Sequence, residues 1–161
     1  MQIRRATLED FEQIWPTLQA IAASGEVFAW PLDVSFEQAR NLWMELPQIV
    51  CVAEREGRIL GSYYVKPNQM GGGAHVCNAG YAVAEAARGQ GVAAALCEHS
   101  QQTARALGFT AMQFNFVVST NESAVRLWAR LGFETLGRLP RAFAHPKLGL
   151  VDALVMFKRL D

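Results

Sequence analysis

Apolar positions recur along this chain with two different periods, and the alternation between them predicts most of its elements. Phe11, Ile14, Leu18 and Ile21 repeat at helical spacing, which predicts a helix to about Ala23, closed by Ser24-Gly25. Thr7 to Asp10 precedes it with capping-box spacing, Asp standing where Glu or Gln is usual. Phe36, Ala39, Trp43 and Leu46 make a second helical face, opened by Ser35 to Gln38 and stopped before Pro47. The loop between these helices carries Val27, Phe28, Trp30 and Pro31, a cargo that suits either a pocket wall or a core plug. Ile49 to Arg55 and Ile59 to Val65 are strand-like and read as a hairpin through Glu56-Gly57-Arg58. Val76 to Val83 is a third long strand, and Gly80 inside it predicts a bulge or a close approach to the backbone.

Val92, Leu96, Thr103 and Leu107 then predict a helix from Gly91 to Leu107, capped by Gly108. Thr110 to Val118 reads as a strand with Met112, Phe114 and Phe116 on one side and Gln113, Asn115 and Val117 on the other. Ala124, Leu127, Trp128 and Leu131 give the last helix face, opened at Ser119 to Glu122 and ended by Gly132. Phe133 to Arg138 and Ala153 to Phe157 complete the strands, with Leu139 to Val151 expected as a long loop. Gln2 to Arg5 is short enough for an edge strand. The order predicts a single α/β domain over residues 1–161, with flanking helices on a mixed sheet of about six to seven strands.

Composition narrows the function. The chain has 161 residues, 51% hydrophobic and 19% charged, which suits a folded core. Lys+Arg 15 balances Asp+Glu 15, so no basic stripe supports nucleic-acid binding. The charged N-terminus, with Arg4, Arg5, Glu9, Asp10 and Glu12, reads neither as a leader nor as a membrane span. Cys51, Cys77 and Cys97 lie in apolar segments without CxxC spacing, which reads as reduced core thiols and a cytoplasmic location.

The chemistry concentrates between Val83 and Ala93. A strand feeds a turn containing Arg88, Gly89, Gln90 and Gly91, and a helix follows at Val92 and Ala93. Helix N-termini offer unpartnered N–H groups and partial positive charge, so the stretch predicts a pyrophosphate-bearing ligand. Gly89 to Ala94 matches G-x-G-x-x-A, which would suit a nicotinamide-dependent oxidoreductase. That fingerprint wants its first glycine directly after the strand and an acid about 20 residues on. Here Ala84 to Arg88 intervene, and Thr110 to Val117 holds no acid. No nucleotide-triphosphate motif occurs.

Arg88 to Ala93 is also R-x-x-G-x-A, and it resembles the acyl-CoA motif of the GNAT superfamily of N-acetyltransferases. Val83 lies five residues before Arg88, Asn121 opens the following helix and Gly132-Phe133 ends it, as in that family. The stretches Gln113 to Asn121, Arg138 to Pro140, His145-Pro146 and Val151 to Met156 are similar to a branch containing fungal enzymes that acetylate proline analogues such as azetidine-carboxylate. The resemblance implies acetyl-CoA as co-substrate, no metal, a small-molecule amine acceptor and a homodimer as an available assembly. It implies cofactor contacts at Tyr81, Ala82, Val83, Arg88, Gly89, Gln90, Gly91, Val92, Ala93, Asn121 and Trp128. It further implies a splayed strand pair around Asn78 and Asn115, with both asparagines in the active site. Many relatives carry a tyrosine acid where this chain has Trp128, which keeps a non-catalytic acyl-CoA-binding module as a rival.

Phe28, Trp30 and His145 are the expected substrate contacts. By residue type, Glu26, Asp33, Glu85, His75 and His145 could each serve as the base. His75 and Cys77 share a strand face, but two ligands without a third do not make a metal site.

Overall fold

The strand-forming runs assemble into one seven-stranded sheet in the order β1-β2-β3-β4-β5-β7-β6. The structure is a computed structural model describing residues 1–161. The strands are β1 Gln2–Arg5, β2 Ile49–Arg55, β3 Arg58–Pro67, β4 Val76–Val83, β5 Ala111–Val118, β6 Glu134–His145 and β7 Gly149–Arg159. Only the central pair, β4 and β5, is parallel; every other pair is antiparallel. The helices are α1 Phe11–Ser24, α2 Phe36–Arg40, α3 Val92–Ala106 and α4 Glu122–Arg130, and α2 runs on into a π-turn at Asn41–Glu45.

Each element follows from local chemistry. The β2–β3 hairpin closes through Glu56 and Gly57, both at positive φ, which matches the twist of the strands it joins. Ser35 and Gln38 cap α2 reciprocally, at 3.1 and 3.0 Å. Gly25 ends α1 in the left-handed region. Lys158 closes α4 from the last strand, donating to the Leu131 carbonyl at 2.7 Å and to Gln101 Oε1 at 2.6 Å.

The sheet carries a core on each face. One lies under α3 and α4 and contains Tyr63, Leu96, Met112, Phe114, Trp128 and Met156. The other lies under α1 and the α2 segment and contains Phe11, Ile14, Leu18, Trp43 and Val52. Trp43 is fully buried, and its indole N–H donates to Ser62 Oγ at 3.0 Å. The Ser62 hydroxyl donates in turn to the Cys51 carbonyl at 3.0 Å, so this polar chain is satisfied inside the core.

Two expectations change, and of the two readings of Gly80 the close approach holds. The stretch from Leu139 to Val151 is not a loop but the outer half of the β6–β7 hairpin, with a turn of only Pro146 to Leu148. A register shift between Leu139 and Phe143 interrupts the pairing, and Arg141 there has a φ of 54°. Asp152 holds the irregularity by accepting from the Arg141 N–H at 2.9 Å and the Arg138 guanidinium at 2.7 Å, and these bonds keep its carboxyl below the usual range. Pro140 and the left-handed Arg141 break the period-two pattern, which hid the strand.

The alternation expected along β5 also breaks. A bulge at Asn115-Phe116 leaves Phe116 exposed and turns Val117 inward. Gly80, by contrast, sits in regular register opposite Tyr64, with no bulge. A Cβ there would lie 2.5 Å from Tyr64 Cε1, so glycine makes room for the ring. Gly80→Ala should therefore cost about 1–3 kcal/mol through overpacking, read as a lower midpoint in urea unfolding. Tyr64→Leu in the same chain should recover most of the loss, and an unchanged midpoint for Gly80→Ala alone would show that the ring is not fixed there.

Candidate active site

β4 and β5 pair over only three positions, Val76↔Ala111, Cys77↔Met112 and Asn78↔Gln113, and then part. The His75 carbonyl faces the β5 side, accepting from Thr110 at 2.9 Å. The Val76 carbonyl and the Ala84 N–H both bond on the β3 side, to Asn68 and Leu60. Period two then directs the backbones of Ala79, Tyr81 and Val83 into the gap. Of the expected segment, Tyr81 and Val83 wall the gap. Ala82 does not: it pairs with Ser62 on β3, and its methyl is buried in the α1 core. An open strand edge must find partners, and an extended chain carrying amides fits it.

Asn78 stands at the point where the strands part. Its Nδ2 donates to the Gln113 carbonyl at 3.0 Å, and its Oδ1 accepts from the Tyr64 hydroxyl at 3.3 Å. The side chain is only 8% exposed. Burial raises the Tyr64 pKa, so this hydroxyl remains a donor at neutral pH. Tyr64 was not singled out from the sequence; its signal is the glycine opposite, on whose bare backbone the ring lies. Asn115 is different. It is exposed in the β5 bulge, donates to Asn68 Oδ1 at 2.7 Å and accepts from Gln113 Nε2 at 2.9 Å.

At the other end of β4, a 3-10 turn at Glu85–Ala87 leads through Arg88 to Gly89 and Gly91, whose φ values are 73° and 78°. The first bond into α3 runs from the Ala95 N–H to the Gly91 carbonyl at 3.1 Å, and no N–H from Gly89 to Ala94 meets a protein acceptor. A Cβ on either glycine would touch nothing within 4 Å, so the requirement is the backbone angle, and the space above is open. Arg88 is exposed and has no carboxylate partner. This set of donors fits a diphosphate. Gln90 turns away from it, donating to the Ala86 carbonyl at 3.0 Å and accepting from Arg55 at 3.2 Å.

A cleft of about 880 Å³ joins the two ends. Arg88, Gly89, Gly91, Val92 and Ala93 line it at the turn, Asn121 and Trp128 at its α4 wall, and Phe28, Asn78 and Asn115 at the far end. Trp30 lies behind the wall, 5.3 Å from Phe28 and 6.2 Å from Trp43. Phe28 thus serves as wall, and Trp30 as its backing. His145 is also behind the wall: its side chain is 8% exposed, and Nδ1 accepts from the Lys147 and Leu148 N–H groups. Ala82, Gln90, Trp30 and His145 are therefore the expected contacts that the fold keeps out of the cleft, each engaged by a neighbour.

Trp128 packs 4.9 Å from Tyr81 and 5.2 Å from Phe114 and forms an apolar wall. The Tyr81 hydroxyl points away, 2.7 Å from Ser100, and burial raises its pKa well above normal. The three cysteines are buried and outside the lining, with the Cys77 thiol pushed up to about 12. Ser24 donates to the Ile21 carbonyl and Ser123 to Asn121, so neither lining serine has a base beside it. Among Glu26, Asp33, Glu85, His75 and His145, Glu26 alone lines the cleft. His75 is exposed while Cys77 is buried, and nowhere do three His, Cys, Asp or Glu side chains converge.

Asn78→Ala should cost about 1–3 kcal/mol in urea unfolding, because Gln113 and Tyr64 lose a buried partner. Asn115→Ala should stay within about 0.5 kcal/mol. Equal midpoints for the two variants would contradict the clamp role of Asn78.

Known proteins share this arrangement. The family model for the Acetyltransferase (GNAT) family matches residues 4–133. The N-acetyltransferase aca1 of Schizosaccharomyces pombe is 38% identical over 147 residues, covering 78% of this chain and 69% of the relative. The structure of a GCN5-related N-acetyltransferase from Kribbella flavida superposes with a TM-score of 0.93 at 44% identity, covering 98% of this chain and 96% of that one. A phosphinothricin acetyltransferase from Sinorhizobium meliloti, solved in complex with acetyl-CoA, shares the fold at a TM-score of 0.86 and 21% identity, over 98% of this chain and 87% of that one. Family membership sets aside the oxidoreductase reading of G-x-G-x-x-A. The parted strands, the glycine turn and the helix that follows it are those of the GNAT acetyltransferase family, an acyltransferase family to which this chain belongs.

Proposed function

We propose that residues 1–161 form one catalytic domain that moves an acetyl group from acetyl-CoA to the amine of a small molecule, by direct attack of that amine on the bound thioester. Amino acids and cyclic imino acids of the proline type are the acceptor class. The observation that carries this reading is the continuity of the cleft from the unpartnered N–H groups of Gly89 to Ala94, along the open edge of β4, to Asn115 and Phe28.

The chemistry follows the same line. The N–H groups of the turn and Arg88 suit the pyrophosphate, and a charge at a helix N-terminus gains about 0.3–1 kcal/mol. The gap-facing backbones of Ala79, Tyr81 and Val83 suit the pantetheine amides, which supplies the missing strand partner. Asn121 and Trp128 line the cleft along the path such an arm would take. The exposed Asn115 amide suits an acceptor carboxylate, with Phe28 as apolar wall. Direct attack is supported because no cysteine or serine is activated in the lining. Holding amine and thioester together can supply about 7–11 kcal/mol, so Trp128 in place of a proton donor is tolerable when the leaving thiolate is already stable.

Thiol release from acetyl-CoA across a panel of amines, including cyclic imino acids, tests the reading. Saturable release with one acceptor class is expected, together with a coenzyme A adduct in native mass spectrometry. Acetyl-CoA binding without release for any amine would leave an acyl-CoA-binding module. Asn115→Ala should lower kcat/KM by about tenfold, the loss of one hydrogen bond, while its unfolding midpoint stays put.

A further inference from the structure

Glu26 is the only acidic side chain in the cleft lining, and no histidine or lysine shares that lining. It leaves the C-terminus of α1 one residue after the left-handed Gly25, and its own N–H is held by Ser24 Oγ at 3.3 Å. Its carboxylate, 40% exposed, is met from the other side by the tip of the β6–β7 hairpin. Lys147 Nζ lies 3.5 Å from Oε1, and His145 Nε2 lies 4.0 Å from the same atom. Because His145 Nδ1 accepts two backbone N–H groups, the neutral ring carries its proton on Nε2, toward Glu26. Pro146 seats this tip against Gly25, 3.7 Å from the position of a Cβ there. The backbone of Glu26 is thus held at the end of α1 and its carboxylate by the hairpin tip, at the acceptor end of the cleft, beside Phe28 and on the same lining as Tyr64 and Asn78.

We propose that Glu26 is the general base of the reaction, taking the proton from the acceptor ammonium directly or through one water, with His145 and Lys147 as positioning residues. This rests on the acetyltransferase reading. An acceptor amine arrives at neutral pH as an ammonium ion, which cannot attack. Glu26 draws that cation to the acceptor end and removes one proton. The freed nitrogen pair forms the N–C bond at the thioester carbonyl. The C–S bond then breaks, the sulfur leaves with the electron pair, and it takes the second nitrogen-bound proton. The proton held by Glu26 passes to solvent, so the sum is ammonium plus thioester giving amide, free thiol and one proton. No other group in the lining can accept that first proton: Tyr64 and Tyr81 are held protonated by burial, and the asparagines and serines are not bases at this pH. The Lys147 contact holds the carboxylate in one orientation at the rim, and it yields when the acceptor cation competes for the same oxygen.

The test is the pH dependence of thiol release by Glu26→Gln, Glu26→Asp and His145→Gln against the unaltered chain. The charged or titratable groups facing Glu26 are His145 and Lys147, with the Tyr64 hydroxyl elsewhere on the wall. For Glu26→Gln, kcat/KM should fall by about 100-fold near neutral pH, within the range for general bases. Acetyl-CoA affinity and the unfolding midpoint should not change, since the cofactor turn is at the far end of the cleft. The variant should regain rate by about tenfold per pH unit in the alkaline range, where the free acceptor deprotonates unaided. The unaltered chain should lose rate toward acid pH as its base is protonated, and Glu26→Asp should keep this acid limb and part of the rate. His145→Gln should keep the acid limb, because the limb belongs to Glu26. A Glu26→Gln profile parallel to that of the unaltered chain, a change confined to KM, or loss of the limb in His145→Gln alone would overturn the assignment. Absence of thiol release by the unaltered chain would take down the acetyltransferase reading itself, and this one with it.

Discussion

Two neighbouring strands that part after three pairs leave facing edges of N–H and C=O groups without partners, and most of the site exists to keep them apart. On the α3 and α4 face, the rings of Tyr81, Phe114, Trp128 and Phe133 wedge between the diverging strands, with Phe114 stacked 4.2 Å from Phe133. At the vertex, Asn78 staples β4 to β5 and so fixes where the opening begins. Above it, the bulge at Asn115-Phe116 turns β5 aside. A backbone group kept dry and unpaired costs about 1–3 kcal/mol, so the gap must be wet or filled. An extended chain that carries amides would meet that requirement.

The opposite face is organised by one indole. Trp43 is buried beneath the α1 core, and Phe28, Trp30 and Tyr64 all lean on it, at 6.0, 6.2 and 5.0 Å. An eleven-residue loop, Gly25 to Ser35, would ordinarily wander, but this one is nailed down by its aromatics. The two roles weighed for Phe28 and Trp30, pocket wall and core plug, are divided between them. The same anchoring sets the position of Glu26, two residues before Phe28, against the hairpin tip.

Regular elements were legible because their periods are local. The turn at Arg88 to Ala93, the helix after it and the β2–β3 hairpin all follow from glycine placement and apolar spacing. What stayed hidden depends on contacts between distant residues. Asn78 and Asn115 carry the same side chain and read alike in sequence. Only the fold shows one as a buried clamp and the other as an exposed amide on the rim, bonded to Asn68 and Gln113. Gln90 sits inside the motif but points out of it, because Ala86 and Arg55 offer it partners. In the sequence Glu26 is one acid among several; the hairpin, whose irregular strand reads as a loop, singles it out by closing on it. The glycine turn was legible because a turn is a short-range object; the other end of the cleft is assembled from α1, β3, β5 and the last hairpin.

β6 forms the outer boundary of the sheet, with Leu136 and Leu139 exposed along it. A twelve-residue bare edge would ordinarily invite another chain to dock in register and grow an open-ended fibre. Its two register shifts cut the paired stretches to Glu134–Thr135, Gly137–Leu139 and Phe143–His145. Each is shorter than the five or six residues of a typical strand, roughly the length a stable pairing needs. The irregular backbone that conceals this strand from sequence reading thus also leaves a neighbouring chain no long regular stretch to pair with.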